Sequence, residues 1–252
     1  MAGECQRALR AAGADIIDMG GAGRTDAGVH AIRQTAHLRL RQPVDAGQLR
    51  IAMNDALPHD IHVLSLLAAR GAFHARHDAV SRHYLYQISR RRTALAKRHV
   101  WWVKRALDAA AMKRAAATIE GRHDFRNFCE RPDDQESTIV VVDRAECAVA
   151  GDLILVRLSA SHFLWKMVRR VVAALVRVGT GELPAGGIPR LIQDPGAGAQ
   201  VAEWTAPPSG LFMERVVYPG EPTPGPMSPV IPVGSGRDAG LDPESLYLGA
   251  PR

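Results

Sequence analysis

Cysteine, long apolar runs and metal-ligand spacings are all scarce in this chain, and each scarcity removes a class of protein. Three cysteines in 252 residues, Cys5, Cys129 and Cys147, are too few and too scattered for a disulfide framework, and no C-x-x-C or Cys/His spacing suggests zinc. His74 and His77 stand three apart without a carboxylate or cysteine partner at metal spacing, so no metal site is expected. The longest apolar stretch, Phe163 to Val178, is interrupted by Lys166, Arg169, Arg170 and Arg177, a density of charge that a bilayer does not tolerate. The first twenty residues carry Glu4, Asp15 and Asp18 and no secretory-type apolar core, so a reducing cytoplasm is the expected compartment.

What is present is a globular composition, 46% hydrophobic and 23% charged, long enough for one large core or two small domains. A formal charge of +6 makes a polyanionic partner plausible, because neutralising phosphates releases counterions. Residues 3–12 have helical composition and stop at Gly13, and Ile16 to Met19 suit a short strand. From Ala31 to Leu40, alternation at Ile32, Ala36, Leu38 and Leu40 predicts a strand with one wet face. Helices are predicted over 45–56, 107–120 and 163–178, strands over 61–67, 81–89 and 211–218, and a hairpin turning at Gly151-Asp152. Between Pro219 and Pro232 six of fourteen residues are proline, so residues 219–252 are expected to bury too little surface to order themselves. Mixed helices and hairpin signals favour an α+β fold with a largely antiparallel sheet.

The stretch GAGRTDAGVH, residues 21–30, holds three glycines around one acid. A dinucleotide fingerprint starting at Gly21 needs a third glycine where Asp26 stands, and a phosphate loop needs Gly-Lys-Ser/Thr where the chain reads Gly28-Val29-His30. What remains is a loop whose glycines relax the backbone and allow close approach of a ligand, with a short carboxylate displayed between them. Arg169 also stands out. On a helix, Lys166, Arg170, Ala173 and Arg177 share a polar row, whereas Trp165, Arg169, Val172 and Val176 form an adjacent row, apolar except for Arg169. A lone cation there needs an anion, for which Asp124 is one structural candidate.

The whole decapeptide closely resembles the G-R-T-D-A-G-V-H-A signature of the TruA-type tRNA pseudouridine synthases, matched over Gly23 to Ala31. Further resemblances follow in family order: Asn54 to Ile61 (NDALPHDI), Phe73 to Arg76 (FHAR), Ser81 to Tyr86 (SRHYLY), Gly121 to Phe125 (GRHDF), Phe163 to Arg169 (FLWKMVR) and Ala206 to Leu211 (APPSGL).

The resemblance implies two related ferredoxin-like halves, residues 1–92 and 93–218, sharing a curved antiparallel sheet with a basic cleft. It implies isomerisation of uridine to pseudouridine at positions 38 to 40 of the tRNA anticodon arm, without cofactor or metal, by a homodimer. Asp26 would be the catalytic aspartate, attacking the target nucleotide so that uracil detaches at N1 and rejoins the ribose through C5. Tyr84 would stack on the target base and handle its proton, Leu211 would pack against the flipped base, and Arg24 and Arg76 would face RNA. Arg169 would pair with Asp26 and keep it ionised and aimed. A non-catalytic tRNA-binding relic is the alternative, marked by bound tRNA without product. The family normally opens with a strand carrying a Y-D-G-x-x-F-x-G-W-Q-like stretch, whereas this chain begins within what resembles its first helix; an upstream start, or an impaired fragment, is therefore expected.

Overall fold

A computed structural model describes residues 1–233 apart from 70, 185 and 195. Its contacts divide into two compact units, one of residues 1–25, 33–80 and 216–222, the other of residues 26–32, 81–215 and the described residues from 223 on. The boundary expected at residue 92 thus falls at 80, because the strand that follows pairs along its whole length within the second unit.

In the first unit, β1 (Ile16–Gly21) pairs antiparallel with β3 (Ala36–Leu40), and two helices, α1 (Ala2–Ala11) and α2 (Ala46–Ala56), supply a small core. Ala8, Leu9, Leu49, Met53 and Leu57 are buried there, with Ile16, Met19, Leu38 and Leu40 packed against them. Asp45 caps α2 by accepting the Gln48 N–H at 2.7 Å. Two strand predictions change. The strand expected over 31–40 is broken between β2 (His30–Ala31), which joins the second unit, and β3; His37, on the face expected to be wet, is buried. Residues 61–67 form no strand. Ile61, Val63 and Leu66 do turn inward, but the Asn54 side chain pairs with both the N–H and the C=O of Val63, taking the place of a neighbouring strand.

The second unit is built on the strand order β2-β9-β4-β8-β7-β6, where β4 is Ser81–Ser89, β6 Gly121–Asp124, β7 Ile139–Ala150, β8 Leu153–Ala160 and β9 Leu211–Val217, with β5 (Trp101–Trp102) beside β4. The sheet is mostly antiparallel and the molecule is α+β, as composition and hairpin signals indicated. α3 (Ala109–Ala117) and α4 (Met167–Gly179) share the larger core with Ile154, Val156 and Leu158, while Leu153 and Leu155 belong to a second cluster. That second cluster includes Val233, with Met227, Val230 and Ile231 packed on it, and the Gln87 side chain accepts the Val230 N–H at 2.6 Å. Residues 227–233 are therefore seated against the sheet, contrary to expectation: a sheet buried on both faces needs a cover, and a proline-rich segment can supply apolar contacts without regular structure. The remainder of the expected tail, 234–252, lies outside the described residues.

The same sheet buries charge. Arg157, 4% exposed, is bidentate to Glu214 at 2.7 and 2.6 Å. Nearby, His83 lies between the hydroxyls of Ser159 (2.7 Å) and Ser81 (2.9 Å); burial, then the Arg157 and Arg215 cations, push its pKa down from 6.5 to about 4. Folded His83 stays neutral where the unfolded residue is protonated, so its contribution is whole above about pH 6.5 and is lost as pH falls towards 4. Melting temperature should therefore fall more steeply between pH 7 and pH 5 in the wild type than in His83→Gln; parallel slopes would refute this.

Candidate active site

The candidate site grows from the turn after β1. Val29 N–H donates to Asp26 C=O at 3.1 Å, and Gly28 between them has φ +80°, the left-handed backbone at the third position of a type II turn. A Cβ on Gly28 would also come within 3.1 Å of Pro208 Cγ. The glycine is thus required twice, by backbone conformation and by space. Beyond the turn, β2 pairs parallel with β9, setting His30 opposite Phe212 with their rings stacked at 5.0 Å, and His30 Nε2 donates to Arg98 C=O at 2.8 Å. The loop bearing Asp26 is therefore tied to the sheet immediately after the acid.

Two donors hold the Asp26 carboxylate. Arg169 Nη1 donates to Oδ2 at 3.0 Å and Trp165 Nε1 donates to Oδ1 at 3.0 Å. Arg169 comes from the first turn of α4, and its Nε donates to Ala206 C=O at 2.7 Å, so one guanidinium ties the Asp26 loop to the chain before β9. Its side chain is 13% exposed against 30% for Asp26, which places the pair at a half-buried edge. The partner of Arg169 is thus Asp26; the other candidate, Asp124, instead accepts the Arg126 N–H and the Thr138 hydroxyl.

α4 begins later than expected, at Met167, because Lys166 adopts φ +62°. Trp165 and Lys166 consequently lie outside the helix, and the expected polar row is not a wet face. Arg170 is buried and paired with Glu130, to which Lys166 Nζ also donates at 3.0 Å. The hydrogen bond from Lys166, with the charge of Arg170, holds the Glu130 carboxyl below its ordinary value.

Tyr84 stands on β4, its ring edge-on to Phe163 with centroids 5.2 Å apart. Burial pushes its phenol up to about 12; the Asp26 carboxylate adds to that push and Arg82 opposes it, so the hydroxyl keeps its proton near neutrality. Tyr86, on the same face of β4, donates to Pro207 C=O at 2.7 Å. Leu211, 5% exposed, begins β9 inside the larger core, against which Tyr84 and Val29 also pack. Asp26, Arg169 and Tyr84 are therefore brought together, and Leu211 belongs to the core beneath Tyr84.

Arg24 and Arg76 are exposed side chains of the first unit. The residue before Arg76, Ala75, is held at both ends of its backbone: its N–H donates to His37 Nδ1 at 3.2 Å and its C=O accepts from Tyr218 Oη at 2.7 Å. With Nδ1 accepting, His37 donates through Nε2 to Asp18 at 3.0 Å, which lowers the Asp18 carboxyl. Among the described residues no group of three His, Cys, Asp or Glu is arranged to hold a metal ion, and no helix is long and apolar enough to cross a membrane.

Comparison with known proteins gives the family of the chain. Residues 115–219 match the family described as tRNA pseudouridine synthase. The tRNA pseudouridine synthase A of Mesorhizobium japonicum is 42% identical over 212 residues, covering 81% of this chain and 84% of that protein. Those of Afipia carboxidovorans and Nitrobacter hamburgensis are 38% and 37% identical, each over 86% of this chain and 89% of the relative. The chain belongs to the tRNA pseudouridine synthase A family. It is accordingly an enzyme of the isomerase class.

Trp165 is the site residue that sequence reasoning missed. It was read only as part of a helical row, and the one local signal was an aromatic next to a cation cluster. Two outcomes test the geometry. Gly28→Ala should destabilise the protein by about 1–2 kcal/mol, the cost of left-handed backbone with a Cβ, measured by denaturant unfolding. A double-mutant cycle of Asp26→Asn with Arg169→Met should give a coupling of about 1–3 kcal/mol; additive effects would mean the ion pair does not form.

Proposed function

We propose that this chain converts uridine to pseudouridine at positions 38 to 40 of the tRNA anticodon arm, in the cytoplasm and as a homodimer, with Asp26 as its one catalytic carboxylate. The observation that carries this reading is the Asp26 carboxylate itself, displayed on a glycine turn, paired with Arg169 and near enough to Tyr84 for its charge to raise that phenol. Arg169 pairs with the attacking carboxylate and fixes its direction by tying the loop to the Ala206 carbonyl. The reaction breaks the bond from uracil N1 to ribose and forms one from C5 to the same ribose carbon; C5 loses its hydrogen as a proton and N1 takes a proton up. No net oxidation occurs and no co-substrate is consumed.

Tyr84 offers its ring to the base taken from the stack, with Leu211 in the core behind it. Because burial keeps the phenol protonated, Tyr84 accepts the C5 proton only as it passes its own onward, and the nearby carboxylate of Asp26 is the acceptor at hand. Arg24 and Arg76 take backbone phosphates, the second presented by the His37 and Tyr218 clamp on Ala75.

The test is tritium release from C5-labelled, unmodified tRNA, with the modified position mapped afterwards. Wild-type protein should release tritium and modify positions 38 to 40. Asp26→Asn should bind tRNA with little loss yet turn over at less than about a thousandth of the wild-type rate, since removing a covalent catalyst costs several tenfold steps. Retention of a tenth of the rate, or modification elsewhere in the tRNA, would overturn the assignment. Tyr84→Phe, which keeps the ring and loses the proton relay, should lower kcat at least about tenfold with KM little changed; a rise in KM alone would limit Tyr84 to stacking.

A further inference from the structure

We propose that Trp165 is a positioning residue that locks the direction of the Asp26 carboxylate through its second oxygen, an inference that rests on the role of Asp26 proposed above. A carboxylate held at one oxygen alone still turns about its last torsion, which has no sharp preference. Arg169 engages Oδ2; the Trp165 indole engages Oδ1 at 3.0 Å, and the two bonds together leave Asp26 one orientation. Indole N–H is a donor only, so the contact orients the carboxylate and cannot carry a proton away from it.

Trp165 is itself fixed, although it is 44% exposed. Its C=O accepts the Glu130 N–H at 2.9 Å. The Arg131 guanidinium and the Lys166 ammonium each lie 5.5 Å from its ring centroid. Both cations sit on left-handed backbone, φ +53° at Arg131 and φ +62° at Lys166, and Glu130 between them binds Lys166 and Arg170. Non-glycine residues take that conformation at a cost, and here two of them flank a single indole. The turn at Lys166 releases residue 165 from the helix while leaving Arg169 within it. Side chains four positions apart thereby reach opposite oxygens of one carboxylate.

Trp165→Phe removes the N–H and keeps an aromatic ring, whereas Trp165→Gln restores an N–H donor without the ring. We expect Trp165→Phe to lower the single-turnover rate at least about tenfold, the loss of one hydrogen bond to a charged group, with KM and melting temperature close to wild type. Trp165→Gln should regain most of that rate. In a nitrogen-15 spectrum the Trp165 indole N–H, assigned by its disappearance in Trp165→Phe, should exchange slowly in the wild type and faster in Asp26→Ala. A raised KM with unchanged rate would make the indole an RNA-stacking group and overturn the proposal. Equal impairment of the Phe and Gln variants, no effect of either, or indole exchange indifferent to Asp26→Ala would also overturn it. The exchange measurement needs no tRNA, so it judges the contact even if the proposed reaction is not observed; an inactive wild-type protein would count against the functional reading instead.

Discussion

The Arg169 guanidinium is the contact on which the second unit's site depends. It grows from the first turn of a helix whose inner face is almost wholly apolar, and it is mostly covered by protein. A cation in that place is tolerated only with an anion and further acceptors, and the structure supplies both in Asp26 Oδ2 and Ala206 C=O. Those acceptors come from stretches of chain far apart in sequence. The same ion pair that satisfies the helix therefore decides where the glycine loop and the approach to β9 must lie.

Position follows from the sheet as much as from the pair. β4 and β8 are buried at every position but Tyr84 because both faces are covered, one by α3 and α4, the other by Ala96, Val100 and 227–233. The alternation of β4 then sorts its residues by chemistry. Tyr84 and Tyr86 turn to the face shared with Asp26 and Pro207, whereas His83 and Gln87 turn to the polar contacts of the opposite face. The phenol proton of Tyr84 and the neutral imidazole of His83 are thus consequences of one burial applied to two sides.

Elements bounded by strong local signals were legible beforehand. Gly13 and Gly121, both in left-handed backbone, and the hairpin at Gly151 each act within a few residues, so the chain order alone reveals them. The acid of the site was equally legible, as a carboxylate between glycines that fit no phosphate or dinucleotide motif, and so was the need of Arg169 for an anion. The failures share a different cause. A strand was expected over 61–67, but the Asn54 side chain occupies the backbone of Val63; the helix expected over 163–178 forms, but Lys166 in the left-handed region delays its start to Met167.

What the sequence determined by itself is therefore what short-range physics controls: turns, the spans of β4 and β8, the family signature and the residue types needed at the site. Tertiary structure alone decided that an indole meets the other oxygen of Asp26, that His37 is buried against Ala75, and that a proline-rich segment covers the sheet. Each of those contacts joins residues between 38 and 143 positions apart or covers a face whose cover has no periodic signal. Such pairings are chosen by which polar groups remain unsatisfied after the core has formed, and that remainder exists only in three dimensions.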